Sequence, residues 1–347
     1  MLKIAKEKLN DFYAKINQTM GLYIPIKKGG EVNFCVWGEG KEVSLETLKT
    51  VKSPKSMFFP QTENMMKFKT DGKNIEILEA GIRKQGEELK PFVLFGVKAC
   101  DYKAIEVLDK VFLADPVDTY YQARRNATTI VTLACAKPEE SCFCTVFDID
   151  PTAPKGDMTA WLDDAYLYLQ ANTEKGEALA QIAQEYAENG GEDAVVKQQA
   201  ETKVVLEKLP FAGLDLSAFK QENLNELFNA EEWGKMSEAC LGCGTCTFVC
   251  PTCQCFDIRD FKTNEGVVRY RCWDSCMYSD FTLMAHGNSR TTQMQRFRQR
   301  FMHKLVYYPS QYDGTYSCVG CGRCVNKCPQ KLNIVKVIKT LGGKKND

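Results

Sequence analysis

Two cysteine runs near the C-terminus constrain this chain more than any other feature of its sequence. One run ends at Pro251 and the other ends at Pro329. Their cysteines are Cys240, Cys243, Cys246 and Cys250 in the first run, and Cys318, Cys321, Cys324 and Cys328 in the second. Both runs read C-x2-C-x2-C-x3-C-P, a spacing through which protein thiolates hold [4Fe–4S] clusters. Two copies in one chain predict two such clusters.

The spacing also predicts how the thiols divide between the clusters. Thiols two residues apart on a tight turn reach three corners of one cubane, and the fourth Cys of the run ligates the other cluster in two-cluster proteins. We therefore assign one cluster to Cys240, Cys243, Cys246 and Cys328, and the other to Cys318, Cys321, Cys324 and Cys250. A pair of structural zinc sites is the alternative, since these also use Cys-x2-Cys. Zinc has no use for the remaining cysteines at these offsets, so we disfavour it.

Composition places the chain among ordinary globular proteins of two domains. It has 347 residues, of which 44% are hydrophobic and 26% are charged, and its net charge is zero. A balanced charge argues against a nucleic-acid partner. The charged N-terminal segment lacks the apolar stretch of a signal peptide, and no apolar run approaches the length of a membrane span. We expect a cytoplasmic protein without membrane contact, whose 17 cysteines serve metal in an anaerobic cell.

Strand and helix signals predict an α/β domain over residues 1–235. Residues 92–97 and 128–134 are typical of buried strands, and a helical pattern through Phe112 separates them. The strands lead into Cys100 and Cys135, so sites are expected at their carboxyl ends. An Ala-, Glu- and Lys-rich segment at about residues 173–230 predicts a helical excursion.

Four thiols are expected to meet at the carboxyl ends of these strands. They are Cys100, Cys135, Cys142 and Cys144. Four cysteines at one edge of a sheet indicate a metal site. Three interpretations stay open: a third [4Fe–4S] cluster, a structural zinc ion, or thiols that ligate only in part or not at all.

Residues 236–347 predict a mostly α-helical, ferredoxin-like domain with two clusters. The interval between Cys250 and Cys318 is much longer than the linker of small ferredoxins, which favours helices between the two cluster loops. This interval contains four further cysteines, Cys253, Cys255, Cys272 and Cys276. They predict either another metal centre or buried thiols that shape the surroundings of the clusters.

A helix with two different faces is expected at residues 290–305. Its apolar stripe contains Met294, Phe297, Phe301 and Leu305, and its basic face contains Arg296, Arg298, Arg300 and Lys304. The basic face is either solvated, or it offsets cluster charge or docks an acidic partner. His286, His303 and Cys35 are expected to be packing residues rather than ligands.

Several common catalytic patterns are missing from the sequence. No G-x-G-x-x-G follows a strand, no phosphate-binding P-loop is present, and two histidines do not build a nucleophilic triad. We therefore expect no flavin or nicotinamide site and no catalytic residue. Partner proteins are expected to supply these functions.

Several segments together resemble a known family. They are 96–112, 120–126, 135–144, 240–258, 271–277, 296–309 and 318–329. These segments resemble the iron–sulfur β subunit of cytosolic sulfhydrogenases and the corresponding iron–sulfur subunit of anaerobic sulfite reductase. The resemblance implies an electron-transfer subunit between a flavin- and NAD(P)-binding partner of the diaphorase type and a hydrogenase, reductase or heterodisulfide-reductase-like module. Cys272 departs from the family pattern, in which Cys276 recurs.

The favoured function is therefore an iron–sulfur electron-transfer subunit of a multi-subunit oxidoreductase. The alternative is a reductase, either alone or of the sulfite-reductase type, whose additional cysteines form a centre that reduces substrate. A third interpretation makes the clusters a scaffold that only holds the fold.

Overall fold

The computed structural model of this protein describes residues 1–81 and 89–342. Its strands are, in chain order, β1 (Leu2–Ala5), β2 (Gly21–Lys28), β3 (Glu31–Val36), β4 (Thr62–Asp71), β5 (Asn74–Ala80), β6 (Phe92–Val97), β7 (Thr128–Leu133), β8 (Met158–Leu162), β9 (Tyr166–Ala171), β10 (Glu188–Asn189), β11 (Phe256–Thr263), β12 (Gly266–Trp273), β13 (Leu283–Met284) and β14 (Gly287–Asn288).

The α-helices are α1 (Leu9–Thr19), α2 (Ala99–Phe112), α3 (Thr119–Ala127), α4 (Glu174–Ala183), α5 (Glu192–Glu207), α6 (Leu224–Asn229), α7 (Glu232–Ser237), α8 (Thr245–Phe248), α9 (Gln293–Met302), α10 (Tyr308–Gln311), α11 (Arg323–Lys327) and α12 (Ile334–Gly342). A π-helical turn, His303–Tyr307, joins α9 to α10. Within the described ranges, no helix combines the length and apolar character that a membrane crossing requires.

Eight strands form a mixed sheet in the order β10-β1-β9-β8-β7-β6-β2-β3. Its central strands β2, β6, β7 and β8 run parallel. All of β7 and all but the first residue of β6 are buried, as expected for parallel strands covered on both faces. The predicted α/β class of the N-terminal region is confirmed.

The carboxyl ends of β6 and β7 bring two of the predicted site cysteines to one edge. The two strands are parallel neighbours, with Val97 opposite Thr132. Cys100 lies in the first turn of α2, which begins two residues after β6 ends. Cys135 follows β7 at the same edge. The edge therefore carries both thiols, as parallel strand direction requires.

A second sheet has the order β11-β12-β4-β5. It joins a hairpin from residues 62–80 to a hairpin from residues 256–273, with Cys272 opposite Thr62. The prediction of a mostly helical C-terminal domain is not confirmed, because this second hairpin fills much of the interval between the cysteine runs. The hairpin was missed because β11 is largely exposed, so its sequence lacks the alternation of a half-buried strand.

The segment for which a helical excursion is predicted contains helices of different lengths. Helices α4 and α5 lie in it, whereas residues 216–236 form short turns and the helices α6 and α7. Residues of this later segment, Phe219, Leu227 and Trp233, share one apolar core with Phe297 and Ile338. The domain boundary near residue 235 stays a prediction.

A buried ion pair ties the second cysteine run to the N-terminal thiols. The Arg323 guanidinium donates to both carboxylate oxygens of Asp101, at 2.6 and 2.7 Å, and its Nε donates to the carbonyl oxygen of Thr50 at 3.2 Å. Both charged side chains are nearly inaccessible to solvent. Asp101 follows Cys100, and Arg323 lies between Cys321 and Cys324. Bidentate pairing of this kind fixes the relative orientation of the two segments.

We predict that Asp101→Asn lowers the free energy of unfolding by about 3–5 kcal/mol, because it leaves the buried charge of Arg323 unpaired. Denaturant unfolding followed by tryptophan fluorescence measures the change. Asp260→Asn is the matched control, since Asp260 forms a similar bidentate pair with Arg269 on an exposed surface. Equal losses in the two variants would contradict the assigned role of the buried pair.

Candidate metal centres

One cavity, of about 430 Å³, is lined by thiols of both cysteine runs. We call it the first cavity, and its thiols are those of Cys240, Cys243, Cys246 and Cys328. Apolar side chains such as Met277, Phe297 and Phe301 complete its wall. Cys243 is exposed, so the first cavity lies close to the molecular surface.

A second cavity, of about 320 Å³, has the complementary set of thiols. They are those of Cys318, Cys321, Cys324 and Cys250. Its wall includes Phe143 from the N-terminal region and Ile334 from α12. Cys250 and Cys321 are buried, so the second cavity lies deeper in the protein than the first.

The two runs fold in the same way around these cavities. Gly244 precedes α8 and Gly322 precedes α11, and both glycines have positive φ angles, 71° and 74°. This backbone conformation turns each run so that its first three thiols face one cavity. The fourth thiol of each run then lies in the wall of the other cavity.

Further donors point at individual thiols. The Nε2 of Gln293 donates to the sulfur of Cys240 at 3.4 Å, and the backbone N–H of Leu332 donates to the sulfur of Cys328 at 3.2 Å. Hydrogen bonds to ligand sulfurs are one means by which a protein tunes the reduction potential of a cluster. Elsewhere burial opposes ionisation, and it raises the pKa of Cys246 and of Cys321 to about 11. A bound metal cation would instead favour the ionised form of these thiols.

The N-terminal thiols lie beside the second cavity. Cys144 lies within electrostatic reach of Cys135, Cys142 and Cys321, and Cys100 lies within reach of Cys144 and Cys321. Burial raises the pKa of Cys135 to about 11. The four cysteines that the sequence grouped are therefore neighbours.

Backbone packing joins this thiol group to the second cavity. The N–H of Phe143 donates to the carbonyl oxygen of Gly320 at 3.0 Å. A Cβ atom on Gly320 would lie 2.3 Å from the carbonyl oxygen of Phe143, and one on Gly322 would lie 2.3 Å from that of Ser141. The loop of the second run therefore approaches segment 141–144 at a distance that only glycine permits.

Two buried cations lie on the basic face of α9 and of the turn that follows it. The sequence left two interpretations of this face open. Arg300 and Lys304 are 2% and 3% exposed. Lys304 Nζ donates to Thr252 Oγ1 at 2.7 Å and to the Ser317 carbonyl oxygen at 3.0 Å. The interpretation of a solvated face is therefore wrong for these two residues, whereas Arg296 and Arg298 are half-buried.

Arg300 is shared by both cavities, since its side chain lies in both walls. Its Nη2 donates to the Cys246 carbonyl oxygen at 3.0 Å. Among the described residues, 1–81 and 89–342, none provides a hydrogen-bond acceptor for its Nε or Nη1. Burial opposes its charge, but the neighbouring thiols, Cys246 foremost, hold the pKa of Arg300 well above its ordinary value. A buried guanidinium with two free donors fits a site that contains anionic sulfur.

The remaining thiols separate into a group and two single residues. Cys253, Cys255 and Cys276 lie near one another. Cys272 lies on β12 opposite Asp257, and Cys35 lies on β3. Over the described ranges, no group of three or more His, Cys, Asp or Glu side chains is placed so that it could hold a single metal ion.

His303 packs near Tyr308, at 6.2 Å between ring centroids, and burial lowers its pKa to about 4. His286 is exposed on the turn between β13 and β14. Neither histidine lines the two thiol cavities.

We predict that Gly320→Ala destabilises the protein by at least about 1–3 kcal/mol, because a left-handed backbone is strained for alanine and the new methyl group meets Phe143. Thermal unfolding under anaerobic conditions measures the change. Gly213→Ala is the matched control, since its Cβ atom would meet nothing within 4 Å. If the two variants unfold at the same temperature, the close approach of Gly320 to Phe143 does not contribute to stability.

We predict that Arg300→Gln lowers the reduction potentials of the centres in both cavities, by roughly 50–100 mV each, because a nearby cation stabilises the reduced state. Lys304→Gln should lower only the potential of the centre in the second cavity, since Lys304 lines that cavity alone. Redox titration followed by EPR measures both shifts.

Arg298→Gln is the control for the potentials, because Arg298 stacks on Phe228 and lines neither cavity. Equal shifts of both centres in Lys304→Gln would contradict the position of Lys304 beside the second cavity alone. Iron content must be equal in all variants for the comparison.

Comparison with known proteins agrees with this arrangement. The sequence profile of the 4Fe-4S dicluster domain matches residues 239–332. Sulfhydrogenase 2 subunit beta of Pyrococcus furiosus is 32% identical over 344 residues, which are 97% of this chain and 97% of that protein. The resemblance to sulfhydrogenase β subunits is confirmed. The chain therefore belongs to the family of sulfhydrogenase β subunits, iron–sulfur electron-transfer subunits of oxidoreductases.

Proposed function

We propose that this chain relays electrons through three [4Fe–4S] clusters. In this proposal, the first cavity holds a cluster on Cys240, Cys243, Cys246 and Cys328, and the second holds one on Cys318, Cys321, Cys324 and Cys250. A third cluster is held by Cys100, Cys135, Cys142 and Cys144. When bound, such clusters accept and release single electrons over a wide range of potentials.

The single observation that carries the proposal is that the second cavity neighbours both the N-terminal thiol group and the first cavity. Cys321 of the second cavity lies within electrostatic reach of Cys100 and Cys144. Arg300 lines both the first and the second cavity. The order along the relay is therefore N-terminal group, second cavity, first cavity.

The first cavity and the N-terminal thiol group, which are the two ends of the proposed relay, lie near the protein surface. Beside the first cavity, Cys243 is exposed and Leu241 is 65% exposed. An open groove lined by Leu241, Tyr278 and Phe281 starts there. At the other end, Ser141 and Glu139 line a second open groove. We assign one docking surface to each end.

The chain's own residues position the relay and balance its charge. Arg323 and Asp101 hold the N-terminal group against the second cavity, and Arg300 and Lys304 supply buried positive charge. Partners would supply the rest of the reaction. We propose that one end receives a flavin- and NAD(P)-binding protein, and that the other end receives a hydrogenase, reductase or heterodisulfide-reductase-like protein.

The experiment is iron and sulfide analysis with EPR on anaerobically purified protein. We predict about twelve iron atoms per chain, at four for each cluster, falling to about eight in the double variant Cys142→Ser with Cys144→Ser. Cys35→Ser is the control and should keep all twelve, because Cys35 lies on β3 at the far edge of the large sheet. Unchanged iron content and EPR spectra in the double variant would refute the third cluster.

A second pair of variants tests whether the fourth thiol of each run ligates the cluster that the other run holds. Cys250→Ser should alter the EPR signal of the cluster in the second cavity, and Cys328→Ser should alter that of the cluster in the first. If each substitution instead alters the cluster of its own run, the division is wrong. Substrate reduction by the purified chain alone, with an artificial electron donor, would contradict the role as a relay.

A further inference from the structure

Three cysteines outside the cavities lie where the end of the first cysteine run meets the β11–β12 hairpin. Cys253 and Cys255 immediately precede β11, and Cys276 follows β12. Phe256 pairs with Trp273, and the N–H of Asp274 donates to the carbonyl oxygen of Cys255 at 2.9 Å. This register brings the chain around Cys276 alongside Cys255.

The thiols of this group interact in two pairs. Strand register and the backbone bond from Asp274 to Cys255 bring Cys276 close to Cys255, and the thiol and backbone N–H of Cys276 act on the sulfur of Cys255. The thiol of Cys253 contacts that of Cys250, which lies in the wall of the second cavity. Cys253 also lies within electrostatic reach of Cys255 and Cys276. A short chain of thiols thus runs outward from the second cavity.

The outer pair differs from the cavity thiols in its surroundings. Neither Cys255 nor Cys276 lines either cavity, and both are half-buried rather than fully buried. Their sequence neighbours Phe256 and Met277 line the open groove beside the first cavity. The pair is therefore close to a surface that small molecules can enter.

The local charges favour a thiolate at Cys255. The hydrogen bond from Cys276 lowers the pKa of Cys255 to about 7, and the buried cations Lys304 and Lys55 act in the same direction. Lys55 Nζ donates to the carbonyl oxygen of Cys253 at 2.9 Å and lies 3.8 Å from the ring centroid of Trp273. A thiolate in contact with a second thiol is the arrangement that thiol–disulfide exchange requires.

We propose that Cys255 and Cys276 form a reversible disulfide, a two-electron centre that connects the electron relay to small disulfide substrates. The inference rests on the proposed function for its source of electrons. Cys272, only four residues before Cys276, has no part in the centre, because it pairs with Asp257 across the hairpin and the charged groups that act on it are Arg259, Asp257 and Asp274.

The proposed reaction is a thiol–disulfide exchange with a small disulfide, followed by reduction of the protein disulfide by the relay. The Cys255 thiolate attacks one sulfur of a small disulfide and releases the first small thiolate, which leaves a mixed disulfide. The Cys276 thiolate then attacks the Cys255 sulfur and releases the second, and two protons convert both leaving groups to thiols. The substrate is reduced by two electrons and the protein pair is oxidised. Two electrons from the relay, taken up singly, and two protons restore both protein thiols.

The first test maps thiols in the anaerobic full-length chain, equilibrated in glutathione buffers of graded potential. Alkylation and mass spectrometry should show Cys255 and Cys276 losing reactivity together, with two-electron dependence and a cross-linked peptide pair. Cys272 should stay reactive throughout. Absence of the cross-link at every potential, or a disulfide that involves Cys253, overturns the proposal.

The second test couples the pair to the relay. Oxidised glutathione, added to reduced protein freed of excess reductant, should oxidise the clusters in the wild type, as followed by EPR. In Cys276→Ser the rate should fall at least tenfold, and in Cys272→Ser it should stay unchanged. Iron content should be equal in all three proteins. Loss of about four iron atoms in Cys276→Ser would make Cys276 a cluster ligand and overturn the proposal.

The two proposals fail in different ways. If wild-type iron content is far below eight atoms per chain, the relay fails, while the disulfide can still be found by alkylation. If iron content is as expected and no cross-link forms, only the disulfide centre fails.

Discussion

Each of the two cavities closes only when the two cysteine runs meet. Three thiols of a cavity come from one run, and the fourth comes from the other run. Neither run can therefore complete its site alone. The intervening chain must fold so that Cys318 lies near Cys250. The rest of the C-terminal region serves this return: the β11–β12 hairpin and α9 fill the interval, and α12 packs against the same core.

Buried charge is the second constraint, and it follows from the first. Arg300 and Lys304 are almost completely buried next to the cavities, a placement that is costly unless negative charge compensates it. Among the described residues, thiols such as Cys246, Cys250 and Cys253 face these cations, and metal ligation as thiolates would give them the compensating negative charge. The same logic applies to Arg323, whose charge is balanced by Asp101. This pair orients the N-terminal thiols toward the second cavity, so one ion pair links the fold of the sheet to the geometry of the relay.

Much of the site could be predicted because its information is local. A C-x2-C-x2-C run specifies a tight turn, and the division of thiols that this turn implies matches the division between the cavities. The strands β6 and β7 could be predicted because continuous burial leaves continuous apolar sequence. The hairpin β11–β12 could not, because β11 is mostly exposed and β12 is mostly half-buried, so neither strand leaves a continuous apolar run. Residues 216–236 form turns and two short helices, and they pack against α9 and α12 in one apolar core.

The sequence by itself determined the chemistry of this protein: the kind of ligand, the number of thiols in each run, and the edge of the sheet at which Cys100 and Cys135 emerge. Only the tertiary structure decided which thiols are neighbours across the chain. It put Cys144 beside Cys321, Arg300 between two cavities, and Cys276 against Cys255. The reason is physical. Residue spacing controls distances within a turn, whereas contacts between distant segments depend on strand register, buried charge and glycine positions, which act together only in the folded chain.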